Sequence, residues 1–136
     1  MNIDPTRPQF EAFKALPKDT PINMLNLVRL RQTAAYEDGR SATGAEAYAT
    51  YGVSSGPIFA GVGGKIAWRG APECVLIGPE DERWDIAFIA RYPDAAAFLK
   101  MVMDPAYQAI VFHRQAAVED SRLIRLGDLG GGPTFG

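Results

Sequence analysis

A chain of 136 residues that is 47% apolar can pack one domain and is too short for two of ordinary size. Its 14 basic and 16 acidic side chains give a formal net charge of -2 with neither sign gathered into a run, so no stripe follows a phosphate backbone and nucleic acid is not an expected partner. No apolar run reaches the roughly 18 to 20 residues that span a bilayer, and no basic-then-apolar leader opens the chain, so the expected address is cytoplasmic, with no membrane contact.

Single residues narrow the chemistry further. Cys74 is the only cysteine and His113 the only histidine, which leaves no intrachain disulfide and no thiolate- or histidine-rich metal centre. No metal and no cofactor are expected.

In chain order, Thr6 to Leu16 carries Phe10, Phe13 and Leu16 at helical spacing and closes at Pro17, which predicts an N-terminal helix over about 6–16, laid on the domain or reaching a neighbour. Ile22 to Arg31 reads as a strand. One side holds Ile22, Met24, Asn26, Val28 and Leu30, the other Asn23, Leu25, Leu27, Arg29 and Arg31. Asn26 interrupts the apolar side. Left without hydrogen bonds there, its amide would cost about 1–3 kcal/mol, so either the protein or a ligand must supply them.

Gln32 to Thr43, with Asp38-Gly39, reads as a loop or small hairpin of the length that often borders a site. Thr43 and Glu46 have capping-box spacing and open a helix carrying Tyr48 and Tyr51 on neighbouring turns. Gly52 and Gly56-Pro57 should bend or break it, and Gly63-Gly64 should end it. Lys65 to Arg69 then reads as a strand with Trp68, broken at Gly70-Ala71-Pro72 and resumed over Cys74 to Ile77, with Cys74 a small strand residue. Gly78 to Asp81 turns the chain into the next strand.

That strand, Arg83 to Tyr92, alternates Trp84, Ile86, Phe88, Ala90 and Tyr92 with Arg83, Asp85, Ala87, Ile89 and Arg91. Pro93 suits the first turn of a helix whose apolar face is Ala97, Phe98, Met101 and Val102. Past Asp104-Pro105 the helical rhythm resumes as Tyr107, Ile110, Val111, Arg114 and Val118. Arg114 thus lies on the line of an apolar face, and His113, about 100° away, should lean outward. Ser121 to Leu126 reads as a fourth strand, and 127–136 as a flexible Gly-rich tail on a core of 22–126.

Strand, helix, strand, hairpin, strand, helix, strand is the split β-α-β-β-α-β order of ferredoxin-like α+β folds: a four-stranded antiparallel sheet with two helices on one face, here with an extra N-terminal helix. The strands are apolar on both sides. A homodimer closing sheet face to sheet face is the simplest way to cover what the helices leave bare.

The residues Asn26-Leu27, Thr43-Gly44-Ala45-Glu46-Ala47-Tyr48, Gly63-Gly64-Lys65-Ile66, Glu82-Arg83-Trp84-Asp85, Tyr92-Pro93 and Asp104-Pro105-Ala106-Tyr107 through His113-Arg114 are familiar together. Over roughly Ile22 to Leu126 the chain resembles an uncharacterised domain-of-unknown-function family, number thirteen-thirty, in the dimeric α/β-barrel superfamily. The resemblance implies a ferredoxin-like protomer and a sheet-to-sheet homodimer. Superfamily relatives include cofactor-free monooxygenases, muconolactone isomerases, haem-dependent chlorite dismutases and stress-response barrels, a range that transmits no single function.

Two functional readings follow. In the first, Asn26, Tyr48, Tyr51, Trp68, Trp84 and Arg114 line a pocket for a small apolar acid or enol, supporting cofactor-free isomerase or monooxygenase-like chemistry. Arg114 would take paired oxygens with its planar fork, and Asn26 would donate to a developing oxyanion. Asp85 and His113 are the candidate bases. In the second, the protein is a non-catalytic metabolite-binding or stress-related homodimer, Arg114 braces the fold by pairing with Asp85, Asp104 or Glu119, and the tryptophans are core or dimer-face aromatics.

Overall fold

The computed structural model describes residues Met1–Gly136. Its first helix, α1 (Arg7–Ala15), starts at a complete capping box: Thr6 Oγ1 accepts from the Gln9 N–H, and Gln9 Oε1 accepts from the Thr6 N–H. It lies on its own domain, with the Phe13 ring 5.0 Å from that of Phe98. The chain then enters β1 (Ile22–Leu30), the inner strand on which the sheet is built.

After the loop comes α2 (Gly44–Gly61), capped by Thr43 and Glu46 as the spacing requires. It runs through Gly52 and Pro57 without interruption, against the expected break. Gly63, at φ +83°, ends it: its N–H donates to Ala60 and that of Gly64 to Phe59, the left-handed exit a glycine provides.

The remaining elements are β2 (Lys65–Gly70), β3 (Ile86–Tyr92), α3 (Ala95–Met103), α4 (Pro105–Gln108), α5 (Phe112–Ala117) and β4 (Val118–Leu126). Asp94, rather than Pro93, sets the start of α3 by accepting from the Ala97 N–H, and Asp104 caps α4 through Ala106. The strands are all antiparallel in the order β2-β3-β1-β4, the ferredoxin-like arrangement. The expected strand over Cys74 to Ile77 does not form. Residues 71–85 are a loop between β2 and β3, Cys74 is exposed, and Leu76 and Ile77 are 89% and 92% exposed. Prolines at 72 and 79 withhold donors, and no neighbouring strand stands opposite this segment. β3 starts at Ile86, not at Arg83, because the Leu30 N–H of β1 is taken by the Asp85 carboxylate in place of a backbone carbonyl.

Alternation assigns the two faces. Ile22, Met24, Asn26 and Val28 pair with Tyr92, Ala90, Phe88 and Ile86, and these face the helices. Two apolar clusters form there. One joins Ile22, Met24, Ala90 and Tyr92 to Phe98, Met101 and Tyr107; the other joins Val28 to Ala47, Ala116, Ala117 and Val118. Leu25, Leu27, Ala87 and Ile89 line the opposite face with Trp68 and Ile124, which are 57% and 45% exposed. That face has no helix on it.

Candidate functional site

Of the β1 positions that turn toward the helices, Asn26 alone is polar. It stands between Phe88 on β3 and Leu123 on β4, and Phe88 packs against both apolar clusters. Asn26 therefore marks the seam where the two halves of the core meet. Its Nδ2 donates to the Met24 carbonyl at 3.1 Å, and its Oδ1 accepts from no protein group.

Across the seam, α2 presents Tyr48 and Tyr51 one turn apart with ring centroids 5.6 Å from each other, because positions three apart share a helix face. Tyr48 packs on the second cluster and Tyr51 on the first. The Tyr51 hydroxyl meets that of Tyr107 on α4 at 2.8 Å, whereas the Tyr48 hydroxyl has no partner within the protein. Burial pushes both Tyr48 and Tyr107 well above the ordinary tyrosine range, outweighing the opposing pull of the Arg114 charge. These phenols stay neutral at any working pH and act as hydrogen-bond groups, not bases. Tyr107 is a member of this group that sequence reasoning placed only on an apolar helical stripe.

Arg114 is committed elsewhere. With its side chain 15% exposed, it donates to the Ile3 carbonyl at 2.6 Å and to Ser121 Oγ at 3.3 Å, with Asp4 at 3.8 Å. It braces α5 to the N-terminal arm and β4. None of the anticipated carboxylates is its partner: Asp85 pairs with Arg83, Glu119 with Arg29 and Arg83, and Asp104 caps α4.

His113 is the clearest departure from expectation. It is 9% exposed rather than turned outward, and its Nδ1 lies 2.6 Å from the Tyr36 hydroxyl. The 32–43 loop folds back over α5, so that the Phe112 ring stacks beside the imidazole at 4.1 Å and Arg40 covers Tyr36 at 4.7 Å. Burial, helped by the Arg40 cation and opposed by Asp38, lowers the His113 pKa. A helical wheel cannot register a loop that returns to cover a residue.

Asp85 caps the end of β1, accepting from the Leu30 N–H at 2.7 Å. Trp68 lies on the open sheet face, and Trp84 is buried beneath the Arg122 guanidinium at 5.2 Å, outside both apolar clusters. The structure thus brings Tyr48, Tyr51 and Tyr107 together, sets Asn26 beside Phe88 on the helix-facing side of the sheet, and engages Asp85, His113 and both tryptophans elsewhere. No group of three His, Cys, Asp or Glu side chains is positioned to hold a metal ion.

The model of the family described as Domain of unknown function (DUF1330) matches residues 40–126. The chain belongs to that family. The crystal structure of RPA0582, a protein of unknown function from Rhodopseudomonas palustris, is 58% identical over 96% of this chain and 98% of that one, with a TM-score of 0.91. The methylated form of that protein gives 59% identity over 97% and 98%, with a TM-score of 0.93. More distant solved structures share the fold. A protein of the dabb family with a ferredoxin-like fold from Mesorhizobium loti is 18% identical over 81% of this chain and 98% of its own, with a TM-score of 0.51. SnoaB, a cofactor-independent oxygenase from Streptomyces nogalater, is 15% identical over 85% and 99%, with a TM-score of 0.54. No curated protein matches the DUF1330 chain. None of its helices is long and apolar enough to cross a membrane.

Proposed function

We propose that this protein is a homodimer, joined through its open sheet face, that binds a small apolar acid or enol in the seam between the sheet and α2. The observation that carries the reading is the Tyr48 hydroxyl, which has no hydrogen-bond partner in the protein although its surroundings desolvate it enough to raise its pKa, together with the unfilled Oδ1 of Asn26 on the helix-facing side of the sheet. Neither atom is sealed from solvent, so both stay open to a ligand: an acid or enol oxygen accepts from Tyr48 and from the spare Asn26 N–H, and its own O–H donates to Asn26 Oδ1. The apolar surroundings, Phe88 and the two clusters, suit the rest of such a molecule.

Binding is better supported than turnover. Tyr48 and Tyr107 remain protonated, and Asp85 and His113 are engaged outside the seam, so the site offers hydrogen-bond donors to an oxyanion but no base. Cofactor-free isomerase or monooxygenase-like chemistry would have to start from a ligand that enters already as its enolate. Thermal melting of the wild type, Asn26→Leu and Tyr48→Phe with a library of apolar carboxylic acids and enols tests the reading. Compounds that raise the wild-type melting temperature should lose that effect in both variants; equal shifts in all three proteins would sink the proposal. Mass analysis of the bound compound after incubation in air separates binding from turnover.

A further inference from the structure

We propose that a second site, a groove where β1 ends and β3 begins, binds a monoanionic organic carboxylate with a short apolar chain, and that Arg31 holds the carboxylate. The groove is shallow and open to solvent, with a volume of about 560 Å³, and shares no residue with the Asn26–Tyr48 seam, so the two proposals stand or fall separately. Leu30, Ala45 and Ile86 supply an apolar wall, and Arg31 and Arg83 supply charge.

Arg31 is the unusual member. Three arginines have a side-chain nitrogen shut off from solvent without a hydrogen bond: Arg29, Arg31 and Arg125. Arg29 nevertheless faces Glu119 at 2.9 Å, and Arg125 donates to the Pro17 carbonyl and lies over the Phe13 ring. The Arg31 guanidinium meets no carboxylate, carbonyl or ring. The sealed atom is Nε; Nη1 and Nη2 are not shut off from solvent, have no partner in the protein, and belong to a side chain that lines the groove, so they are free for an external acceptor.

Its backbone is fixed from two sides. The Arg31 N–H donates to the Ala117 carbonyl at 2.8 Å, and Gly44, the first residue of α2, lies so close to the Arg31 carbonyl that a side chain there would overlap it. The guanidinium is thus carried on a rigid base, and its planar fork suits the two oxygens of a carboxylate.

Charge selects the ligand. Arg83 is already opposed by Asp85 at 3.3 Å and Glu119 at 3.6 Å, and Asp85 itself lines the groove and accepts from the Leu30 N–H. One spare positive charge remains, which matches a carboxylate and leaves a phosphate dianion short of a counter-charge. The apolar wall gives a hydrocarbon chain a surface that an inorganic ion cannot use.

Titration of the full chain with hexanoate, 1-hexanol and inorganic phosphate, followed by backbone amide NMR shifts, tests the assignment. Hexanoate should saturably shift the amides of Arg31, Thr43 and Ala45, whereas hexanol and phosphate leave them in place. Arg31→Met should bind hexanoate at least tenfold more weakly while melting no earlier than the wild type without ligand, because no internal partner is lost. Ala45→Trp, which fills the groove and leaves Arg31 intact, should abolish binding and guards against a folding defect in the first variant. Hexanoate binding that is unchanged in either variant, matched by hexanol, replaced by phosphate, or missing from the wild type would overturn the proposal.

Discussion

The hydroxyl of Tyr36 and Nδ1 of His113 lie 2.6 Å apart, and through that contact the 32–43 loop is fastened to α5. Phe112 flanks the imidazole, while Arg40, itself paired with Asp38, roofs Tyr36. Burial and the Arg40 cation favour neutral imidazole and lower its pKa below the unfolded value, so the unfolded chain binds more protons than the native one. Stability from this site is therefore complete above the unfolded histidine pKa of about 6.5 and declines as the pH falls through that value toward the lower native one. Urea melts between pH 8 and 5 should show stability decreasing on acidification. His113→Gln should flatten that part of the profile, and an equal slope in the variant would remove His113 as its source.

The contact of Gly44 with the carbonyl of Arg31 predicts a large effect from a small change. Any Cβ at position 44 overlaps backbone that Ala117 already holds, so neither side can yield cheaply. Gly44→Ala, which would be near neutral or stabilising in an open helix, should destabilise by about 2 kcal/mol or more through overpacking. Gly52→Ala, in open space on the same helix, is the control and should gain a few tenths of a kcal/mol up to about 1. Chemical denaturation of the two variants in parallel reads the contrast.

Much of this architecture was legible from periodicity. The side-to-side alternation of β1 from Ile22 to Val28 appears in its register with β3, and the Thr43–Glu46 spacing appears as a capping box. What failed was non-local. A β-rich composition over Cys74 to Ile77 does not make a strand without a neighbour to bond, and His113 could be judged exposed only while the loop bearing Tyr36 was unplaced. Asn26 stood out in the sequence as a polar interruption. Tyr107 did not, because its partnership with Tyr51 joins residues 56 apart. Arg114 was visible as a cation on an apolar stripe, but its acceptor, the Ile3 carbonyl, is a backbone atom without a side-chain signature.

That same contact makes Arg114 a clasp for the first residues of the chain. Beside it the Asn2 N–H donates to Asp120 at 2.9 Å, and the Asn2 carbonyl accepts from Ser121 Oγ at 2.7 Å. Hydrogen bonds from a charged donor contribute about 1.5–3 kcal/mol, so Arg114→Met should destabilise by that order and release the arm. Hydrogen exchange should show faster exchange at Asn2 and, because its acid is then less well hydrogen-bonded, near Asp120. Unchanged protection of the arm would mean that Asp120 and Ser121 hold it alone.

A pH effect of opposite chemistry belongs to Asp120. Burial alone would raise its pKa, but donors from the Asn2 N–H, Arg122 and the Ser121 N–H together bring it down to about 2. A carboxyl whose native pKa lies below the unfolded value of about 3.9 stabilises above that value and loses the contribution as pH falls toward 2. Asp120→Asn should lower stability at pH 7 and show a weaker decline between pH 4 and 2. An unaltered acid limb would assign acid unfolding to other carboxylates.

The open sheet face supplies the remaining prediction. In register, Ile89 lies between Leu25 and Trp68, and Leu25 in turn meets Ile124, so the middle of the face is apolar while Arg91, Arg29 and Arg122 stand toward its ends. Phe88, one residue away, points to the helices and tests the core instead. A carboxylate placed at position 89 remains hydrated in a lone protomer but would be stripped of water against a second copy, at a cost of several kcal/mol for an unpaired charge. Sedimentation velocity should therefore find a wild-type dimer and an Ile89→Asp monomer with native circular dichroism, whereas Phe88→Asp should lose folded signal. If wild type and Ile89→Asp sediment alike, as monomers or as dimers, the sheet face is not what joins the copies. Leu76 and Ile77, nearly fully exposed on the 71–85 loop, would then be the next surface to charge.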